Sequence, residues 1–246
     1  MTTRWKLTIE YDGSGFCGWQ RQADALSVQQ VIEEAILSFS GEAPSLFVAG
    51  RTDTGVHALA QVAHFDLEKE MEPHAVCGAI NYYVRPHRIS ILQAERVADD
   101  FHARFDAKAR SYRYVVVNRQ APLALQAGTA WQVARPLAVE PMQQAAGLLI
   151  GKHDFSTFRA SHCQANSPIR TLDELAVTRH GDHIVFETRA RSFLYHQVRN
   201  MVGTLVMVGS GQWTIEDFAA AFAAADRTKG GPTAPPDGLY FTGVTY

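Results

Sequence analysis

The loop at residues 49–57 carries an aspartate whose surroundings suit chemistry. The short apolar run before it, residues 45–48, is predicted to be a buried strand, and the alternating segment that follows is typical of another strand. Gly50 and Gly55 permit backbone conformations closed to other residues and leave room for a ligand. Asp53, on a loop held by rigid strands, is suited to act as a nucleophile or a base. The alternative is a turn whose Asp and Thr side chains bond only the backbone.

A second candidate is Arg199, in the apolar-rich segment 194–208 that predicts a helix. An unpaired guanidinium on an otherwise buried helix is costly, so the pattern indicates a partner for this side chain. A carboxylate suits its two parallel hydrogen bonds, and Asp53 is one candidate for that acid. Such a cation would also keep the carboxylate ionised against the penalty of burial. Another acid, or main-chain carbonyl oxygens, is the open alternative.

Two aromatic residues are candidates for contact with a flat ligand. Tyr112 and Tyr114 share one face of the strand predicted over residues 111–117, where periodicity alone favours core packing. In a site, the ring of Tyr112 would stack on a ligand and its hydroxyl would take part in proton transfer. Phe193 precedes the predicted helix, where it would either line a ligand pocket or pack into the core.

Positive charges cluster in one stretch, although the whole chain has a net charge of −2. Between His102 and Arg119 the chain has one acid, Asp106, among several basic residues. Such a run of basic residues is the arrangement that a phosphate-binding groove for RNA needs. The alternative is a strand face exposed to solvent. The residues we predict to bind RNA phosphates are Arg104, Lys108, Arg110 and Arg113.

Composition and motifs exclude several classes of protein. A hydrophobic share of 46% and a charged share of 20% are typical of a soluble globular protein. No run approaches the ~18 apolar residues of a membrane helix, and no signal peptide opens the chain. The histidines lack metal-ligand spacing and no phosphate-binding glycine loop is present, so we expect neither metal nor cofactor. Three widely spaced cysteines indicate free thiols, and the predicted location is the cytoplasm.

Local signals place helices and strands along the chain. Ser27 is a candidate cap for an amphipathic helix that ends near Gly41, and Thr214 is a candidate cap for a later helix. Further helices are predicted over residues 72–82, 141–149, 194–208 and 214–225, and strands over residues 6–11, 60–65, 89–94, 111–117, 175–178, 183–188 and 239–244.

These elements predict an α+β fold in two halves. The alternation of strand and helix runs to about residue 105 and then restarts. We therefore predict an N-terminal domain of residues 1–105 that carries Asp53. The C-terminal domain of residues 106–246 is expected to carry Tyr112 and Arg199. Each half should hold an antiparallel or mixed sheet with flanking helices.

Five motifs together resemble one known family. They are Tyr-Asp-Gly at residues 11–13, Gly-Trp-Gln-Arg-Gln at 18–22, Gly-Arg-Thr-Asp-x-Gly-Val-His at 50–57, Tyr-Arg-Tyr at 112–114 and His-x-Val-Arg-Asn at 196–200. From about residue 6 to about residue 240 the chain resembles the tRNA pseudouridine synthase A family. The resemblance implies two related α+β halves whose sheets meet, an active-site cleft between them, and a homodimer.

The resemblance also implies a role for individual residues. The position matching Asp53 is the catalytic aspartate, and the position matching Arg199 is its partner. Tyr112 is implied to stack on the target base, and Arg51 to assist flipping of the target nucleotide. Thr54 stands where alanine is usual in the family, a departure that touches none of these roles.

By this resemblance the expected function is that of an isomerase. It would convert uridine to pseudouridine at positions 38, 39 and 40 of the tRNA anticodon stem-loop, and such a spread of targets implies recognition of RNA shape and backbone charge. One alternative is an RNA-binding protein without activity, which would have no need of Asp53. A glycoside hydrolase is another alternative, but it would want a second carboxylate close to Asp53, and none lies near it in sequence.

Overall fold

The computed structural model describes residues 2–246 as an α+β fold. Five α-helices and ten β-strands occur in this part of the chain, which confirms the predicted fold class. None of these helices combines the length and apolarity needed to cross a membrane. The chain packs into two compact units: the first runs to Arg110 and also takes in Tyr240–Tyr246, and the second is Ser111–Leu239.

The first unit alternates between strand and helix. β1 lies between β4 and β3 and is antiparallel to both, with Leu7 opposite Ala63 on one side and Ala94 on the other. The short strand β2 pairs with β3. The elements are β1 (Thr3–Tyr11), α1 (Val28–Ser40), β2 (Phe47–Val48), β3 (His57–Leu67), α2 (Pro73–Tyr83) and β4 (Ile89–Val97).

Local sequence signals explain the elements of this unit. Alternate side chains of β1 are buried, as the two-residue period of a strand requires. Helix α1 begins where the Ser27 hydroxyl accepts a hydrogen bond from the N–H of Gln30 at 3.2 Å, and it ends at Gly41, whose φ is +78°. The predicted cap and stop of α1 are confirmed. Its buried residues recur at helical spacing: Val28, Val31, Ile32, Ala35 and Ile36.

The second unit holds four strands in the order β5-β9-β8-β7, and β6 pairs with β5. β8 and β9 form the predicted hairpin, which turns at Gly181 with φ of +60°. Thr214 caps α5 through a reciprocal pair of bonds with Asp217, as its position predicts. The elements are β5 (Ala109–Val117), β6 (Trp131–Gln132), α3 (Val139–Gly147), β7 (Gly151–Asp154), β8 (Ile169–His180), β9 (His183–Ala190), α4 (Gln197–Gly209) and α5 (Ile215–Ala223).

The two halves repeat one arrangement. In the first, β1, α1, β2, β3, α2 and β4 follow one another, and β3 lies between β1 and β2. The second half has the same succession of elements, β5, α3, β8, β9 and α4, with the short strands β6 and β7 inserted among them. Here β9 lies between β5 and β8. A last strand, β10 (Leu239–Thr245), completes this succession.

Strand β10 packs with the first unit. It runs parallel to β3, with Tyr240 opposite His57, and the Tyr246 hydroxyl donates to the carbonyl of Ala103 at 2.8 Å. This grouping differs from the predicted boundary, which left residues 106–246 together. The difference arises because the pairing of β10 joins residues far apart in sequence, which no local pattern specifies. The two domains as independent folding units stay a prediction.

Short strands account for the remaining differences from the sequence prediction. Residues 45–48 were predicted as a buried strand, yet only Phe47 and Val48 are in β2, and Phe47 is 49% exposed. Because successive side chains of a strand point to opposite faces, one of the two residues of β2 faces outward. β6 and β7 were not predicted, because two and four residues are too few to show an alternating pattern.

Candidate active site

The loop that carries Asp53 connects β2 to β3 and is packed against the segment that follows β1. The N–H of Trp19 donates to the carbonyl of Thr52 at 3.1 Å. Gly18 has a φ of +93°, and a Cβ added to it would lie 2.6 Å from the Thr52 oxygen and 3.0 Å from the carbonyl carbon of Asp53. Glycine is therefore required at position 18 both for its backbone angle and for the space it leaves.

Asp53 is fixed through its own backbone as well. Its carbonyl accepts a hydrogen bond from the N–H of Val56 at 3.1 Å. Gly13 lies so close to the carbonyl of Val56 that no side chain would fit at that position. The carboxylate side chain of Asp53 is half-buried, and Arg51 is exposed. The loop thus holds an aspartate in a fixed place that a ligand can still reach.

A buried hydrogen-bond network lies beneath this loop. The hydroxyls of Tyr11 and Thr52 are 2.7 Å apart, and both residues are buried. Gln61 donates to the carbonyl of Gly50 at 2.7 Å. Burial raises the pKa of Tyr11 to about 12, although its bonds with Thr52 and Gln61 act to lower it. Tyr11 is therefore a neutral hydroxyl that supports the residue next to Asp53.

Arg110 holds the start of the same loop. Its guanidinium donates to the carbonyl of Ala49 through Nε at 3.2 Å and Nη2 at 2.9 Å. Nη2 also donates to the carbonyl of Arg104 at 2.7 Å, and Nη1 to that of Ala107 at 3.3 Å. These bonds fix the start of the loop. Binding of RNA phosphates by Arg110 stays a prediction.

The Tyr-Asp-Gly motif packs beside the start of β3. Gly13 donates its N–H to Nδ1 of His57 at 3.0 Å. Asp12 accepts hydrogen bonds from the N–H of Ser14 at 2.9 Å and from Arg88 at 2.7 Å. Burial acts to raise the pKa of Asp12, but the bonds from Ser14 and Arg88 and the nearby His57 outweigh it and hold the pKa at about 2. Asp12 is thus an ionised structural group.

In the second unit, Tyr112 and Phe193 are brought together. Their rings meet edge to face, with centroids 5.1 Å apart and planes at 85°, and both residues are half-buried. Tyr114 behaves differently, because it is fully buried and its hydroxyl donates to the carbonyl of Pro235 at 2.7 Å. Burial raises the pKa of Tyr114. The core position that periodicity favoured therefore belongs to Tyr114, and Tyr112 is only half-buried.

Arg199 lies on a helix that is otherwise almost wholly buried, as predicted. Its Nε donates to the carbonyl of Ala234 at 2.8 Å, and its own carbonyl accepts from the N–H of Ala234 at 3.1 Å. Main-chain oxygen was one of the alternative partners considered for Arg199, and it accepts a hydrogen bond from one nitrogen of the guanidinium.

His196, just before α4, has a φ of +58°, which is rare for a residue with a side chain. Burial, Arg199 and Arg227 lower the pKa of His196 to about 4.

Comparison with known proteins decides the family. The model of a family described as tRNA pseudouridine synthase matches residues 7–106 and 145–246. The tRNA pseudouridine synthase A of Rhodopseudomonas palustris is 56% identical to this chain, and that of Rhodospirillum centenum is 55% identical. Both alignments cover 99% of this chain and 99% of the relative. The protein of the same name from Rhodospirillum rubrum is 55% identical over 99% of this chain and 87% of its own length.

This chain belongs to the tRNA pseudouridine synthase family. Membership places it among the isomerases that act on tRNA, and the two matched stretches correspond to two related halves. Asp53 and Arg51 lie in the first stretch, and Phe193 and Arg199 lie in the second. Tyr112 falls between the two stretches, in the part of the chain that the full-length relatives cover.

The four basic residues predicted to bind RNA fall into three structural situations in this family member. Arg104 and Lys108 are exposed side chains of the first unit. Arg113 is exposed on β5 of the second unit and pairs with Glu187 at 2.9 Å. Arg110 is partly buried against main-chain oxygens. Binding of RNA phosphates by these four residues stays a prediction.

Sequence reasoning missed the residues that support the loop of this synthase. Gly18, Tyr11 and Thr52 were not proposed for the site, although each contacts the loop backbone or a side chain next to Asp53. A glycine before a tryptophan near the start of the chain was the available signal for Gly18. No signal could have found the Tyr11–Thr52 bond, because it joins β1 to a loop 41 residues later. Within residues 2–246, no group of three or more His, Cys, Asp or Glu side chains is placed to hold a metal ion.

Proposed function

We propose that this protein converts uridine to pseudouridine at positions 38, 39 and 40 of the tRNA anticodon stem-loop, with Asp53 as the catalytic carboxylate. The reaction breaks the bond between C1′ and N1, turns the base, and joins C1′ to C5. C5 loses a proton and N1 gains one, so the product is an isomer of the substrate. No oxidant, reductant or metal is needed for this balance.

The fixed loop around Asp53 is the observation that carries the proposal. A sugar that loses its base develops positive charge, which an adjacent carboxylate stabilises or captures. Asp53 is half-buried on a loop whose backbone is held by Trp19 and Gly18. A carboxylate placed in this way loses little freedom when substrate binds, which is how positioned groups accelerate reactions.

The other site residues are proposed for the roles that the family resemblance implies. Tyr112, with Phe193 at its edge, offers a ring on which the uracil would stack. Arg51 is exposed two residues before Asp53 and would take the place of the flipped base. Arg199 is proposed to pair with Asp53 through guanidinium nitrogens other than Nε, which bonds Ala234. We further propose that the enzyme works as a homodimer in the cytoplasm, where its tRNA substrate is used.

Tritium release tests the function and Asp53 together. A tRNA transcript tritiated at uridine C5 loses its label to water only when C5 is substituted, and sequencing then maps the modified positions. Asp53→Asn should lower the release rate by roughly three orders of magnitude or more, while tRNA binding changes little. Asp24→Asn, at an exposed aspartate of the same unit, is the matched control.

Two outcomes would contradict this proposal. If Asp53→Asn lost mainly its affinity for tRNA, the aspartate would serve binding and the chemistry would need another group. If the wild-type protein bound tRNA without releasing tritium, the RNA-binding alternative would be favoured. Tritium release from positions outside 38, 39 and 40 would agree with isomerase activity but would contradict the proposed target positions.

A further inference from the structure

Three neighbouring rings form an exposed patch on the first unit. Phe105 is 75% exposed and Phe47 is 49% exposed, and exposed apolar side chains that cluster often mark a site of interaction. His102 lies between them, with its ring centroid 4.2 Å from that of Phe105 and 5.6 Å from that of Phe47. We call Phe47, His102 and Phe105 the aromatic surface. Its area of apolar ring indicates a surface that contacts another molecule.

The aromatic surface is held in a fixed arrangement by its own turn. The N–H of His102 donates to the Asp106 carboxylate at 2.7 Å. Nδ1 of His102 accepts from the N–H groups of Arg104 at 3.1 Å and Phe105 at 3.3 Å. These bonds fix the backbone that presents Phe105, so the ring is exposed without being on a loose loop. Preformed rings lose little entropy when a flat ligand stacks on them.

Buried His64 supports the same surface from below. Its side chain is stacked on Phe47 at 5.1 Å and accepts the N–H of Ala103 at 3.2 Å. Burial, the neighbouring His102 and Arg4 lower the pKa of His64 to about 4. A neutral imidazole is therefore the packing partner of Phe47 near pH 7.

One side chain links the turn that presents Phe105 to the start of the loop that carries Asp53. One atom, Nη2 of Arg110, bonds both the carbonyl of Arg104 and the carbonyl of Ala49. Arg104 is the neighbour of Phe105, and Ala49 begins the Asp53 loop two residues after Phe47. Phe47 pairs with His64, about 20 Å along β3 from Ala58, which pairs with the Tyr11 that bonds Thr52 beside Asp53. A tRNA whose uridine reached Asp53 would therefore have nucleotides a few positions away close to these rings.

Cations beside the rings favour RNA as the occupant. The guanidinium of Arg104 lies 6.0 Å from the centre of the Phe105 ring, and Lys108 is exposed nearby in the chain. Asp106, the acid between them, bonds the backbone of His102. Aromatic faces that stack bases, next to cations that meet phosphates, are the recurring elements of single-stranded RNA recognition. Contact with a second copy of the chain would also bury the rings, but it would not explain why cations lie beside them.

We propose that the aromatic surface stacks unpaired nucleotides of the tRNA a few positions away from the target uridine. This inference rests on the proposed function, since it assumes that Asp53 receives a uridine from tRNA. Phe105 supplies most of the open ring face, and Phe47 and His102 extend it toward the start of the Asp53 loop. Arg104 and Lys108 hold the phosphates of the stacked nucleotides.

Substitution of the most exposed ring tests the stacking surface. Phe105→Ala should weaken binding of an unmodified tRNA transcript by about tenfold or more, the effect of losing one stacked base. The loss should fall on Kd and KM for tRNA more than on kcat for tritium release. Phe105→Trp keeps a flat ring and should restore affinity. Leu125→Ala, at a side chain 99% exposed in the second unit, is the control.

Other results would overturn the inference. Unchanged affinity in Phe105→Ala, or equal affinity in Phe105→Ala and Phe105→Trp, would show that no base stacks there. A change in sedimentation of Phe105→Ala without RNA would identify the patch as an interface between copies of the chain. Failure of the proposed function is a separate result, because it appears as absence of tritium release in the wild-type protein.

Discussion

The two units hold their candidate site residues in different ways. Asp53 lies on a loop without regular secondary structure, fixed by main-chain contacts with residues 13 and 18–19 and by the buried Tyr11–Thr52 bond. Tyr112 lies on strand β5, and Arg199 on helix α4, where regular packing fixes each backbone. The proposed chemical group therefore depends on a few exact contacts made by small residues. The proposed substrate contacts depend on elements that tolerate change more easily.

Gly18→Ala should give the largest effect on stability. The added Cβ would meet the backbone of Thr52 and Asp53, and the φ of +93° would be strained for alanine. We expect a loss of roughly 2–4 kcal/mol in the free energy of unfolding, measured by urea denaturation. Tritium release should fall as well, because Asp53 would shift. Gly15→Ala is the control, since a Cβ there meets nothing within 4 Å. Similar losses in both variants would contradict the close packing of the loop.

Arg199→Ala should have an intermediate effect on the second unit. It removes the donor to the Ala234 carbonyl, and we expect a loss of about 1–3 kcal/mol in thermal unfolding. If Arg199 also pairs with Asp53, the tritium-release rate should fall, and the losses of stability in Arg199→Ala and Asp53→Asn should not add. Additive losses would reject that pairing. Arg189→Ala, on the exposed side of β9, serves as the control.

Tyr11→Phe should have the smallest effect of the three. The ring stays in place, but the Thr52 hydroxyl loses its buried partner at 2.7 Å. We expect about 1–2 kcal/mol of lost stability, together with a fall in kcat that exceeds any change in KM. Tyr82→Phe, at a ring that is 67% exposed, is the matched control. A change confined to KM would show that this network positions the RNA and leaves Asp53 unaffected.

Local signals predicted most of the elements and the position of Asp53. The Ser27 cap and the Gly41 stop bound α1, and two glycines around Asp53 indicated the loop. These features depend on residues within a few positions of one another. A local sequence pattern can therefore predict these features.

Long-range contacts explain what the sequence did not predict. The acceptors of Arg110 include the main-chain oxygens of Ala49 and Arg104, and because every residue type has a main-chain oxygen, no sequence pattern predicted these bonds. Charge alone cannot show whether an arginine meets phosphate or backbone. Exposure of Phe105 was equally hidden, because an aromatic residue in a mixed segment gives no sign of the face it presents.

The return of β10 to the first unit has a consequence for synthesis on the ribosome. Residues up to 110 are translated well before the strand that pairs with His57 and Ala58. Until then the edge of β3 near the Asp53 loop lacks this neighbour, and the carbonyl of Ala103 lacks the Tyr246 hydroxyl. A nascent chain would thus complete this edge of β3 only after β10 has been made, and a fragment cut after Arg110 would keep the contacts of the Asp53 loop with residues 11–19 but would lack β10.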